Sequence, residues 1–177
     1  MENTSKAIET IIKDFKANDT SIVLDAIKRN RKEGNAKSFQ AMLDLLKDTD
    51  EPLVEEAVIS FIFDLKDNES VPVLVSAIQN KDMEFYHSFL IAAFWQSAID
   101  GSDYIDLFVK MAIQGDYMVC LEALTVVENF DAAYPEADLL DFEADIEEAY
   151  EKEESQEKKL LLKSLADVIR NLPIEGE

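Results

Sequence analysis

The sequence predicts an all-α fold, an α-α superhelix (solenoid) of about five antiparallel helix pairs. Aspartates recur at Asp19, Asp50, Asp82 and Asp116, at intervals of 31, 32 and 34 residues. Apolar residues recur around each aspartate in the same register, and the 177 residues include only four glycines and four prolines. A repeat of this length is typical of stacked helix pairs that bury their apolar faces against neighbouring pairs.

The residues before each aspartate predict the first helix of each pair. Apolar side chains stand eleven, eight, seven and four residues before the aspartate, as Ile8, Ile11, Ile12 and Phe15 do in the first repeat. Intervals of three and four residues place these side chains on one helical face. We therefore expect this face to form the core of every repeat.

The residues after each aspartate predict the second helix. Apolar side chains stand four, seven and eight residues after it, and in the third repeat these are Tyr86, Phe89 and Leu90. The aspartate lies at the joint between the helices, where its carboxylate can accept a hydrogen bond from a free backbone N–H. We expect each of the four aspartates to cap a second helix.

Five units follow along the chain, and we expect them to form a single domain over residues 1–177. The first four units cover approximately residues 5–33, 35–66, 70–99 and 102–131. A divergent C-terminal cap covers residues 136–172, with an acidic helix over 136–152 and a second helix over 156–172. An atypical terminal unit with a polar outer face is what ends a solenoid.

A short core motif in the second helices links the chain to a known family. The motif is Val-x-x-Ala, present as Val23 to Ala26 and Val54 to Ala57, and loosened to Cys120 to Ala123. With the apolar spacing and the aspartate at the turn, residues 7–130 resemble HEAT repeats, or HEAT-like and armadillo-like α-solenoids. The basic residue that the family usually carries after the valine is missing here. The resemblance implies a scaffold that binds other proteins, although a minority of such proteins are enzymes.

The formal net charge of −21 at pH 7 restricts the partners. A field of this sign repels phosphate backbones and anionic lipid, so we expect no nucleic acid and no membrane as partner. A basic protein is the partner that fits. The acidic helix over 136–152 has no glycine for a calcium loop. It is either a solvated face or an electrostatic patch for the partner, for which the candidates are Asp141, Asp145, Glu148 and Glu151.

A second apolar stripe marks the helix predicted over residues 83–98. It runs beside the repeat's common core as Met83, His87, Ile91 and Trp95, and Tyr117 stands at a matching position in the next unit. The stripe is either core between repeats or a partly exposed aromatic groove that anchors a partner. These five residues are the candidate partner-binding set, with Trp95 as the strongest anchor.

Catalysis has little support in this sequence. His87 is the only histidine, and Cys120, the only cysteine, stands at a core position of the repeat. No glycine-rich phosphate loop occurs. We therefore expect no catalytic, cofactor-binding or metal-binding residues, and no cofactor.

These observations together predict a non-catalytic interaction module or scaffold whose acidic, curved surface binds a basic protein. The alternative is an acidic inhibitor or immunity-type protein that blocks a nucleic-acid-processing enzyme by charge mimicry. A HEAT-like lyase or other enzyme ranks below both. The lone cysteine, the lack of an 18-residue apolar run and the absence of a signal peptide favour a cytoplasmic location.

Overall fold

Helix pairs occupy the predicted positions in both halves of the chain. A computed structural model describes residues 2–176, with side chains from Ser5 onward. The chain divides into two compact units, residues 1–99 and 100–177. Within the described range, helices and turns make up the structure apart from one isolated bridge between Tyr134 and Ile174. Every helix in this range is too short or too polar to cross a membrane.

The first unit contains three helix pairs and two short 3-10 segments. The 3-10 segments are Asn68–Ser70 and Lys81–Tyr86. The α-helices are α1 (Glu2–Asp14), α2 (Thr20–Glu33), α3 (Ala36–Asp48), α4 (Pro52–Ile62), α5 (Val71–Gln79) and α6 (His87–Gln96).

The helices of the first unit pack in two layers, one of first helices and one of second helices. Each first helix contacts the second helix of its own pair, as α1 does with α2, α3 with α4, and α5 with α6. First helices also stack on first helices through α1, α3 and α5, and second helices stack through α2, α4 and α6. This arrangement is that of a HEAT-like or armadillo-like solenoid, in which each repeat is buried by its neighbours.

The second unit repeats the same arrangement with two helix pairs. Its helices are α7 (Ile105–Gln114), α8 (Tyr117–Glu128), α9 (Glu136–Lys152) and α10 (Gln156–Arg170). α7 packs on α8 and α9 on α10, while α7 also contacts α9 and α8 contacts α10. Near the end of the chain, the backbone N–H of Tyr134 donates to the carbonyl of Pro173 at 2.9 Å. The all-α fold of stacked helix pairs is therefore confirmed within each unit.

The predicted core register is confirmed most clearly eight residues before each aspartate. The four side chains at this position are fully buried: Ile11, Met42, Leu74 and Phe108. Four residues after the aspartate, Val23, Val54, Tyr86 and Cys120 are buried as well. Phe89, predicted to be core, is 38% exposed, so the prediction is wrong at this position.

Aspartate capping is confirmed at two joints and wrong at the other two. The carboxylate of Asp19 accepts from the backbone N–H of Ser21 at 2.8 Å, and that of Asp116 from Val119 at 2.9 Å. α4 instead begins after Glu51, which makes no side-chain capping bond. Its first residue is proline, so one free N–H is already missing there.

The third joint differs in backbone conformation. Residues Lys81–Tyr86 form a 3-10 segment, so the α-helix begins at His87 and not at Met83. The capping side chain is that of Asn80, whose Oδ1 accepts from the backbone N–H of Asp82 at 3.0 Å. Asp82 is thus inside the segment that it was predicted to cap. The grouping of all repeats into a single domain stays a prediction.

Loss of a capping aspartate should lower the protein's stability more than loss of a non-capping aspartate. We expect Asp116→Ala to lower the free energy of unfolding by about 1 kcal/mol, because the N–H of Val119 loses its acceptor. Asp82→Ala should change it by less than about 0.5 kcal/mol, since Asp82 makes no capping bond of its own. Urea denaturation followed by circular dichroism measures both variants. Equal losses for the two would contradict the assignment of the caps.

Candidate protein-binding surface

The acidic helix α9 presents an exposed carboxylate stripe. Asp141, Asp145 and Glu148 follow one another at intervals of four and three residues, which places them on one helical face. All three are exposed. Lys152 pairs with Glu148 at the C-terminal end of this stripe and lowers the pKa of that carboxyl. We name Asp141, Asp145 and Glu148 the α9 stripe.

Glu151, the fourth candidate of the electrostatic patch, lies elsewhere on the helix. It lines the groove between α9 and α10, together with Glu147, Lys163 and Arg170. Arg170 pairs with Glu143 and lies 3.6 Å from Glu147, so cations partly neutralise this side of α9. The four candidates therefore separate into a stripe of three and one residue in a groove of mixed charge, which Asp167 also lines.

The α9 stripe borders a shallow groove between α7 and α9. Asp145 and Glu148 line it beside Phe142 and Ala149 from the same helix. From α7, Asp106 and Lys110 are among the residues that complete it. Lys152 lines it as well, so the groove combines apolar side chains with three carboxylates and two lysines.

The second apolar stripe of the third repeat is mostly core. Met83 is 3% exposed, His87 8% and Ile91 0%, so these three side chains are not available to a partner. Of the two interpretations, core between repeats is therefore correct for them. Trp95, at the end of α6, is 42% exposed. In the second unit, Tyr117 is also 42% exposed, at the start of α8.

His87 is a hydrogen-bonded core residue. Its Nε2 lies 3.0 Å from the carbonyl oxygen of Asn80, which requires the proton on Nε2. This bond links the first residue of α6 to the residue that caps the preceding 3-10 segment. A histidine bound in this way orders the third joint and has little surface for contact with a substrate.

Cys120 lies in the core of the second unit, near a partly buried ion pair. Lys158 is 9% exposed, and its Nζ donates to the carbonyl of Ile113 at 2.9 Å and lies 3.1 Å from Glu153 Oε2. Burial raises the pKa of the Cys120 thiol to about 11, and the charge of Lys158 only partly opposes this. The thiol is therefore neutral at physiological pH and is not an activated nucleophile.

Three of the exposed apolar residues share one position of the repeat. Ile22, Leu53 and Phe85 are 43%, 59% and 74% exposed, and each stands three residues after a repeat aspartate. The signal for them was present in the aligned repeats, because an apolar residue recurs at this position too. The core pattern does not include it, because the position lies outside the helical face that forms the core. We name these three residues the apolar ladder.

Side chains in the described part of the chain form no group of three or more histidine, cysteine, aspartate or glutamate residues arranged to bind a metal ion.

No protein-family model matches the sequence, and no curated protein matches it significantly. Among solved structures, the chain is similar to a designed armadillo repeat protein. The two are 15% identical over 95% of this chain and 86% of the other, with a TM-score of 0.42.

The buried thiol gives a direct test of the second unit's core. We expect Cys120 to resist a disulfide reagent such as dithiobis(nitrobenzoic acid) at pH 8 in the folded protein, because burial favours the neutral thiol. It should react stoichiometrically in denaturant. Since the pKa of the folded state is raised, this thiol's contribution to stability is present at pH 8 and lost as the pH approaches 11. Rapid labelling of the native protein at pH 8 would contradict the burial.

Proposed function

We propose that the chain is a non-catalytic protein-binding module whose acidic surface selects a basic protein partner. The α9 stripe is the observation that carries the proposal. α9 has eight carboxylates and one lysine in 17 residues, and the three carboxylates of the stripe are exposed on a single face. Helical repeat folds generally provide extended surfaces for binding other proteins.

The net charge of this chain favours a partner of opposite charge. Opposite charge on a partner accelerates encounter and orients it, whereas like charge suppresses binding by several kcal/mol at close approach. The net charge of −21 therefore disfavours nucleic acids and anionic membranes and favours a basic protein. A cytoplasmic location is part of the same proposal.

Trp95 and Tyr117 are the proposed apolar anchors. Each is 42% exposed, so each retains surface that a partner could bury. Tryptophan and tyrosine are enriched among the residues that contribute most to protein interfaces. We exclude from the proposed contacts Met83, His87 and Ile91, because their side chains are already buried.

Ionic strength tests the electrostatic part of the proposal. Once a partner has been captured from the native host and purified, we expect its association rate constant to fall as NaCl rises from about 50 to 300 mM. The triple variant Asp141→Asn, Asp145→Asn, Glu148→Gln should lower that rate severalfold at low salt. Stopped-flow fluorescence measures both effects.

A matched control separates the position of the charges from their number. The triple variant Glu9→Gln, Asp44→Asn, Asp48→Asn removes the same total charge from exposed positions of the first unit. It should change the association rate less than the α9 variant does. Equal effects, or an association rate independent of salt, would refute selection of the partner by the α9 stripe. A captured nucleic-acid-processing enzyme that loses activity on binding would favour the inhibitor alternative.

Trp95 is tested by truncation. We expect Trp95→Ala to weaken the partner's affinity about tenfold or more, as is typical of an interface anchor. Because Trp95 is partly exposed, the variant should remain folded by circular dichroism. Isothermal titration calorimetry measures the affinity, with Leu160→Ala, at a side chain 67% exposed on α10, as the control. Unchanged affinity in the Trp95 variant would remove this residue from the interface.

A further inference from the structure

A cavity lies in the first unit, where two connections between helix pairs approach each other. One connection joins α2 to α3 at Gly34 and Asn35, and the other leads from α4 through residues 63–70 to α5. The cavity has a volume of about 350 Å³, at the lower end of the range for small-molecule sites. Its size therefore suits a small metabolite.

Asn30, at the end of α2, lines this cavity with an unsatisfied polar atom. The residue is 3% exposed, and its Nδ2 donates to the sulfur of Met42 at 3.8 Å. This contact orients the amide, because a thioether sulfur accepts hydrogen bonds and does not donate them. The other polar atom, Oδ1, has no hydrogen-bond partner within the described part of the chain. A buried oxygen without a donor is rare and costs stability, so Oδ1 calls for a donor from outside the chain.

Gly34 keeps the space beside this oxygen free of a side chain. It also lines the cavity, and a Cβ built on it would lie 2.3 Å from Asn30 Oδ1 and 2.3 Å from the carbonyl oxygen of Asn30. Any other residue would therefore collide with Asn30. The φ angle of Gly34 is −69°, which every residue adopts, so close approach and not backbone conformation requires glycine here.

The charged side chains that line the cavity are balanced, unlike those of the chain as a whole. Arg31 is paired with Asp64, and its guanidinium lies 5.3 Å from the centroid of the Phe61 ring. By contrast, the described carboxylates form no ion pair with Lys32 or Lys66. The lining has three basic and three acidic side chains, namely Arg31, Lys32, Lys66, Asp64, Asp67 and Glu69.

The start of α3 adds a second positive element. Asn35 caps this helix, since its Oδ1 accepts from the N–H of Ser38 at 3.1 Å and its carbonyl from the N–H of Phe39 at 2.9 Å. The N–H groups of Ala36 and Lys37, in the first turn, have no partner inside the helix. Ala36 lines the cavity. The positive end of α3 and the two lysines together favour an anionic group in the ligand.

Apolar side chains complete the lining below this charged rim. Phe39, Phe61 and Leu65 are 2%, 8% and 6% exposed. The two phenylalanine rings stack with their centroids 5.8 Å apart, which fixes the wall that they form. The cavity thus combines an apolar wall, a site for an anion and an acceptor for a donor group.

We propose that this cavity binds a free amino acid with an apolar side chain. The carboxylate of the ligand faces Lys32, Lys66 and the start of α3. Its ammonium group donates to Asn30 Oδ1 and faces the remaining carboxylates, and its side chain contacts the apolar wall. A zwitterion matches the balanced lining better than a polyanion such as a nucleotide does. This site lies in the first unit, so it can succeed or fail independently of the α9 stripe.

Thermal denaturation followed by circular dichroism tests the site in the full chain. The probes are L-leucine, L-methionine and L-phenylalanine, each at about 5 mM. We expect at least one of them to raise the Tm by about 3 °C or more, as a Kd near 100 μM implies. Isothermal titration calorimetry then measures the affinity.

Analogues with a single charge test recognition of the zwitterion. For L-phenylalanine these are phenylpropionate, which lacks the ammonium group, and phenylethylamine, which lacks the carboxylate. Both should bind at least about tenfold more weakly than the amino acid, because each leaves one charged element of the cavity without its counterpart.

Substitutions test the residues themselves. Asn30→Leu should weaken binding about tenfold or more without lowering the Tm of the ligand-free protein, because leucine has a similar size and leaves no unsatisfied atom. Lys32→Gln with Lys66→Gln should weaken binding about fivefold or more, since both exposed lysines face the carboxylate. The control, Lys28→Gln with Lys47→Gln, removes the same charge from exposed positions outside the cavity and should leave binding unchanged.

Three results would overturn the proposal. An unchanged Tm with all of the probes would mean that an ordered water alone satisfies Asn30 Oδ1. Equal binding of an amino acid and its singly charged analogues would exclude a zwitterion site. Equal affinity of the two lysine variants would place the ligand elsewhere, and this comparison decides the location even if Asn30→Leu lowers the Tm.

Discussion

Burial of one helical face against the neighbouring repeats is the constraint on which the structure depends. A single helix pair cannot enclose its own apolar residues, so each pair requires the next one. The position eight residues before each aspartate is the clearest expression of this requirement. Its side chain is fully buried in four successive repeats, although it changes from isoleucine to methionine, leucine and phenylalanine. The residue type therefore varies from repeat to repeat, whereas the burial of its side chain does not.

The same constraint explains which surfaces remain available for binding. Stacking uses a fixed set of helix positions, and residues between them meet solvent. In α9, Ile146 is buried while Asp145 and Glu148 beside it are exposed. In α4, Val54 is buried while Leu53 is 59% exposed. Two residues adjacent in sequence can therefore differ in role, one buried in the core and the other on the surface. The surface residue can be substituted without loss of core packing.

The repeat made most of the fold predictable, because the same pattern shows in several units which face of each helix is buried. The predicted acidic helix and its observed limits, Glu136–Lys152, agree for this reason. The caps were less predictable, since a cap depends on backbone geometry at one joint. Asn80 displaced Asp82 because the chain enters α6 through a 3-10 segment, and nothing in the repeat spacing indicates that segment.

Burial of the second stripe and exposure of the ladder show what periodicity leaves undetermined. An apolar stripe beside the core is buried only if the neighbouring helices cover it, and coverage is a property of packing. His87 and Ile91 are buried, whereas Trp95 in the same stripe is 42% exposed. Phe85 is apolar and in register with Ile22 and Leu53, yet it is 74% exposed. The sequence could have shown the recurrence at this position, but only the structure could assign it to the surface.

Charge and exposed apolar side chains would contribute differently to the protein binding that we propose. Charge acts over about a Debye length, so it governs the rate at which a basic partner approaches. Exposed apolar side chains act only on contact, so they would govern the time that a partner remains bound. Exposed leucine and phenylalanine carry a risk of aggregation. The net charge of −21 disfavours association between copies of this chain, which limits that risk.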